Sequence, residues 1–208
     1  MRLLRRLLSG IRWTLGLAPA DSPWERVALT VPAEAFGPGS HRDFAQYLEG
    51  ESAVRVRSLD DIVEWLLTCE YASDPDLFNE PDVWQHPTGF EQLRRGDCED
   101  FALWAWRKLA ELGIDAEFYV GRVFMDEPPA VRQHAWVVYR ARGTDFLFEP
   151  AARSRERMIR RLSAARNDYV PHFSVKRDLR TSAYGGYLLD SSIAGRARRD
   201  PTDVLIRT

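Results

Sequence analysis

Apolar and polar residues alternate with two distinct periods along this chain. In Ser58-Leu59-Asp60-Asp61 a helix-capping serine is followed three places on by an acid, and Ile62, Trp65, Leu66 and Cys69 then recur at i, i+3, i+4 and i+7. That spacing predicts a helix over roughly 59–70. From Asp97 or Cys98 to Leu112 the positions Cys98, Ala102, Ala105, Leu109 and Leu112 share one helical face, and Gly113 is the expected stop. The small alanines would let this helix lie close against a sheet. Past Gly113 the period changes, and three runs rich in Val, Phe, Tyr and Trp read as strands: Ala116–Val123, Gln133–Arg140 and Asp145–Glu149. Residues 152–164 read as a helix, and Tyr169–Val175 with Tyr184–Leu189 as short strands or ordered loops. Helices first and antiparallel strands after give an α+β order. Ala72-Ser73-Asp74-Pro75-Asp76 opens a long irregular stretch, 73–95, expected to hold only short helical turns; long loops inside compact domains are often functional.

The ends differ from the middle. Residues 1–20 place Arg2, Arg5, Arg6 and Arg12 among leucines and Ile11, the pattern of a basic amphipathic helix. A weak contact of residues 1–17 with a membrane surface is compatible with it. Ala18-Pro19-Ala20 resembles a leader cleavage site, but Arg12 and Ser9-Gly10 break the apolar stretch that export needs. The reading is therefore a basic segment at 1–20, one domain at 21–191 and a solvated tail at 192–208, in a cytoplasmic protein.

Composition narrows the function classes. The chain has 208 residues, 45% hydrophobic and 29% charged, with 29 basic against 31 acidic side chains. That balance gives no global field for nucleic acid, and no stretch approaches the roughly 20 apolar residues of a membrane span. Function must come from a site. Cys69 and Cys98 are the two cysteines, too few for a disulfide framework or a zinc ribbon. Cys69 sits in an apolar stripe and reads as a small buried hydrophobe. Cys98 opens a helix, where amide groups and the helix dipole favour thiolate. Its neighbours Asp97, Glu99 and Asp100 oppose this by like-charge repulsion, so a reactive Cys98 needs a proton-accepting partner.

His134, which opens one predicted strand, is that partner. If 134–140 and 145–149 form a hairpin, Glu149 lies opposite His134 when 140 pairs with 143, and diagonal to it when 140 pairs with 145. Both registers keep the two on one face, roughly 5 Å or 7–8 Å apart. Asp145 would lie about 13 Å down the strand, so Glu149 is the better orienting acid. Cys98, His134 and Glu149 can thus serve as nucleophile, base and orienter. His41 and His172 read as surface residues, and His86 as a cleft or solvent residue.

These residues resemble the transglutaminase-like superfamily, and within it the bacterial transglutaminase-like cysteine proteinases. The resemblance rests on Gly96-Asp97-Cys98-Glu99-Asp100-Phe101-Ala102, then His134-Ala135-Trp136, then Phe148-Glu149-Pro150, with Trp84-Gln85-His86-Pro87 and Phe90-Glu91 upstream. It covers roughly 55–150. The acid is commonly Asp in that family and is Glu149 here. The resemblance implies a papain-like core and a cysteine-dependent amide or peptide hydrolase working through a thioester on Cys98. A transamidase and a non-catalytic peptide-binding relative are the alternatives. The Cys98 backbone N–H is the expected oxyanion donor, with Trp84 or Gln85 as a second donor or cleft residue. The expected partner is a protein or peptide substrate. No cofactor or metal is expected, since the triad supplies nucleophile and proton transfer, and no loop of alternating Asp and Asn suggests calcium.

Overall fold

The computed structural model describes residues 20–41, 43–126 and 129–190. The expected basic segment, apart from Ala20, and the expected tail lie outside the described residues.

Two capped helices anchor the first half. Helix α1, Leu59–Leu66, begins where the Ser58 hydroxyl accepts the Asp61 amide, and it buries Ile62, Val63 and Leu66. It is shorter than its periodicity predicts, and Cys69 is buried in the turn that follows. The irregular stretch holds α2, Asp74–Phe78, and α3, Pro87–Leu93, each with proline in its first turn. Helix α4, Cys98–Glu111, starts from a capping box in which the Asp97 and Asp100 side chains each accept the other's backbone amide. After α4, Gly113 adopts φ +73°, as a helix terminus of this kind requires.

Among the described residues there are nine strands, in chain order β1 Arg26–Ala28, β2 Glu70–Tyr71, β3 Arg95–Gly96, β4 Ala116–Asp126, β5 Pro129–Ala141, β6 Thr144–Phe148, β7 Ile159–Arg161, β8 Tyr169–Lys176 and β9 Thr181–Tyr184. Seven form one antiparallel sheet in the order β1-β9-β8-β4-β5-β6-β7, while β2 and β3 make a small parallel pair. The β5–β6 hairpin turns on Arg142-Gly143, both at positive φ, which suits a two-residue loop between twisted strands. Its register pairs Arg140 with Asp145, so Glu149 is the diagonal neighbour of His134.

Helix α4 lies between layers. One side packs on Phe118, Val137, Phe148 and Val175 of the sheet, and the other is covered by α1, α3 and the turn at Phe44–Leu48. Every residue from Glu99 to Ala110 is buried, more than the one apolar face its sequence predicts. Tertiary cover makes this tolerable: Lys108 pairs with Glu91 at 3.1 Å and with Glu111 at 3.0 Å, and Arg107 donates to the Glu49 and Gly50 carbonyls. Trp65 of α1 stacks on Trp104 with ring centroids 4.0 Å apart. The opposite face of the sheet carries a second cluster, with Trp136, Tyr119, Tyr169 and Tyr184 at its centre.

Two sequence expectations are corrected. Residues 152–164 are not one helix: two single turns, α5 Arg155–Met158 and α6 Leu162–Ala165, flank β7, because Ile159–Arg161 pair with β6. Residues 185–190 are helical, so the stretch 184–189, expected as a short strand or ordered loop, is strand only at Tyr184.

Candidate active site

Cys98 occupies the first position of α4, half-buried, against the Ala135 backbone of β5. Its thiol donates to the Glu99 carboxylate, Sγ to Oε2 3.2 Å. A cavity of about 530 Å³ opens over it, walled by His134, Trp84, Asp97, Glu99 and His172 among others. On β5, His134 donates its Nε2–H to Glu149 Oε2 at 2.6 Å. The Tyr169 hydroxyl donates to that same oxygen at 3.0 Å, while Glu149 Oε1 is buried without a partner. With Nε2 engaged by the carboxylate, Nδ1 is the ring nitrogen left for chemistry. The ring is held flat near Trp136, at 21° between planes. Ala135, the next residue along β5, faces the helix and is buried in the main core.

The electrostatics around the thiol are one-sided. Burial, then the charges of Glu99 and Asp97, push the Cys98 thiol well above its ordinary value, and the Ala135 amide only partly offsets them. Burial and the hydrogen bond to Asp97 lift the Glu99 carboxyl to about 10, and burial lifts Asp100 to about 7 against two opposing hydrogen bonds from Gln85. Asp97 and Glu99 thus share a proton near neutral pH, as close carboxylates do. For His134 burial favours the neutral ring, but the Glu149 charge and hydrogen bond outweigh it and raise the value. The resting thiol is therefore protonated, in a cavity it shares with a histidine whose cationic form Glu149 favours.

Trp84 forms cavity wall: its indole N–H donates to Asp82 at 3.1 Å, and its rings pack near Phe44, Tyr47 and Phe118. Gln85 is engaged elsewhere. Its backbone N–H goes to Asp100 Oδ1 at 2.8 Å, and its amide goes to Asp100 Oδ2 and the Arg95 carbonyl. Gly96 makes room for that lock, since a Cβ there would collide with Asp100 and the Gln85 amide. His86 caps α3 through Nδ1 and reaches the Gln46 carbonyl through Nε2 at 2.6 Å.

Sequence reading missed His172 as a site residue. Its side chain is largely covered, it lines the thiol's cavity, and its Nε2 lies 2.6 Å from Asp190, which Arg122 also pairs at 3.1 Å. No spacing rule could link positions 172 and 190 to position 98; the β4–β8 pairing does it.

Carboxylates crowd the same cavity. Asp97 with Cys98 and Glu99, Asp74 with Asp82 and Glu99, and Asp74 with Asp97 and Asp100 each bring ligand atoms within 4.8 Å of one another. Asp74 Oδ1 and Asp97 Oδ1 are buried without hydrogen-bond partners. Among the described residues no helix is long and apolar enough to cross a membrane.

No family model and no curated protein matches this sequence. Solved structures similar to it include calcium-bound LapG of Legionella pneumophila, at TM-score 0.44 and 18% identity, covering 64% of this chain and 72% of that one. The EGTA-treated form of LapG aligns at TM-score 0.43 and 18% identity, over 63% and 69% of the two chains. A protein of Cytophaga hutchinsonii proposed to be a cysteine protease aligns at TM-score 0.38 and 18% identity, over 66% of this chain and 39% of that one.

Proposed function

We propose that the chain is a transglutaminase-like cysteine peptidase or amidohydrolase with Cys98, His134 and Glu149 as its triad. The observation that carries the reading is the 2.6 Å His134–Glu149 contact on the wall of a cavity that also holds a cysteine at a helix start. In this mechanism His134 takes the Cys98 proton, and the thiolate attacks an amide carbonyl carbon. The C–N bond then breaks as His134 returns the proton to the leaving amine, and a thioester remains. Water adds to the thioester and releases the acid and the free thiol. Glu149 keeps the ring oriented and stabilises its charge. The Cys98 backbone N–H, which has no acceptor within α4, is placed to bind the developing oxyanion.

The acidic surroundings favour one addition. Asp74, Asp82, Asp97 and Glu99 offer a set of hard oxygen donors, two of them without partners, which fits a divalent cation such as calcium. A cation there would offset the negative field that holds the Cys98 proton, and supplies no other chemistry.

The test is iodoacetamide alkylation of Cys98 across pH, with Cys69 as the internal control, in chelator and in millimolar calcium or magnesium. An activated pair gives a Cys98 profile shifted at least about one pH unit below the ordinary thiol midpoint near 8.5, and His134→Ala abolishes that shift. If Cys98 titrates at or above that midpoint in every condition, and His134→Ala changes nothing, the triad reading fails. Peptide cleavage run beside amine incorporation then separates hydrolysis from transamidation.

A further inference from the structure

A second cavity of about 570 Å³, lined by His134 but not by Cys98, has the opposite electrical character. Tyr71, Gln133 and His134 are common to both cavities, so the two form adjoining compartments of one cleft. The thiol compartment is walled by Asp74, Asp82, Asp97 and Glu99 and has no Lys or Arg in its lining among the described residues. The second is lined by Arg132, Arg153, Arg157 and Arg160, against Glu149 and Glu156. Glu149 Oε2 is committed to His134 and Tyr169, while its Oε1 is buried without a partner, so two carboxylates face four guanidinium groups.

The four guanidinium groups are not equally engaged. Arg153 donates to the Cys69 carbonyl at 3.0 Å, which holds its head in the cavity rim. Arg160 donates to the Tyr169 hydroxyl at 3.2 Å, lies over that ring and pairs with Asp168 at 3.5 Å, yet its Nε is buried without a partner. Arg132 and Arg157 make no side-chain hydrogen bond or ion pair among the described residues, and both are exposed. A buried unpaired guanidinium N–H beside two free cations is an incomplete anion site, and Arg matches carboxylate geometry in pairs of hydrogen bonds.

We propose that this arginine compartment binds an acidic side chain of the substrate, on the leaving-group side of the scissile bond. The choice of side rests on the proposed hydrolase mechanism: the amine that departs must reach His134, so the chain attached to it runs beyond His134, over the arginines. The binding itself rests on the cavity alone. The cleft then selects a peptide carrying Asp or Glu just C-terminal to the cut, and it disfavours acidic residues over the thiol compartment.

Binding is measured by fluorescence anisotropy with full-length Cys98→Ala, which cannot turn over. The probes are labelled, amidated Gly-Ser-Ala dodecapeptides carrying three central Asp, three Asn or three Lys residues. A fourth probe is the Asn peptide with a free C-terminal carboxylate. The Asp peptide is expected to bind at least about tenfold more tightly than the Asn peptide at low salt, and the Lys peptide more weakly still. Arg132→Glu with Arg157→Glu removes the preference, while Arg177→Glu, on the distant β8–β9 turn, preserves it. Equal binding of the Asp and Asn peptides overturns the proposal. So does a preference that survives the double substitution or is lost equally with Arg177→Glu. Binding of the free-carboxylate peptide as tight as that of the Asp peptide overturns the side-chain assignment. Cleavage-site mapping with the Cys98 enzyme on a mixed peptide digest reports the side. Asp and Glu enriched within about three positions after the cut support the proposal, and enrichment before it overturns the orientation. Acid-selective binding without any cleavage would leave the arginine site standing and remove the hydrolase reading.

Discussion

Glu99 is the residue on which reactivity turns. It accepts the Cys98 S–H and adds to the burial that keeps the thiol protonated. Glu99→Gln removes that charge, which is present only above about pH 10, so the alkaline part of the Cys98 alkylation profile is expected to move down by about one unit while the rate at pH 7 stays nearly unchanged in metal-free buffer. An unchanged profile would mean that burial alone sets the thiol. Tyr169 and Glu149 separate in the same way. Glu149→Gln deletes the charge that raises His134, so the acidic limb of the pH profile, which reports the free base, should shift downward. Tyr169→Phe keeps the charge and removes one hydrogen bond, and is expected to cost less than tenfold without moving that limb.

At the scale of elements, α4 is both scaffold and site, since the helix that presents Cys98 also carries the buried Lys108. Burial opposes ionisation of Glu91, but hydrogen bonds from Ser52, Trp104 and Lys108, with the Lys108 charge, hold its carboxyl below the usual range. Lys108→Met leaves that carboxylate uncompensated and should destabilise by about 3–5 kcal/mol. Adding Glu91→Gln should recover a good part of the loss. Denaturant melts of the two singles and the double form the cycle that measures it, and additive losses would mean the pair is not coupled. The residues of this network are scattered from 52 to 111, and periodicity gave no sign of them. Helix α1 was legible because Ser58 and the apolar stripe act within one turn of each other. The break at 159–161 was not, because β7 forms by pairing with a strand more than ten residues earlier.

For the whole molecule, the buried acids set the pH dependence of stability. Glu91, held low, contributes stability above its unfolded value, and that contribution is lost as pH falls through the folded one. Glu99 and Asp100 act in the opposite sense. Their folded values, about 10 and about 7, exceed the unfolded ones, so between those limits the unfolded chain holds fewer protons and stability declines as pH rises. In chelator, the melting temperature is expected to fall steadily from pH 5 to pH 9, and Glu99→Gln should flatten that slope. Each kcal/mol relieved is worth about 2–4 °C. A wild-type melting temperature that rises over this interval would contradict the assignment.

The sequence by itself determined what depends on near neighbours: the cap and stripe of α1, the start of α4 at Cys98, the strand character of β4 to β6, and the common face of His134 and Glu149. The alternation of side chains along a strand makes that last relation hold in either hairpin register, although only the fold selected the one pairing Arg140 with Asp145. Tertiary structure decided everything that requires distant segments to meet. It sealed α4 on all sides, drew Asp74 and Asp82 toward Glu99, placed His172, paired to Asp190, on the thiol's cavity, and gathered Arg132, Arg153, Arg157 and Arg160 around a cavity shared with His134. The physical reason is the same in each case. Capping and periodicity are local preferences written within a few residues, whereas charge clusters and cavity walls arise from packing that no local spacing encodes.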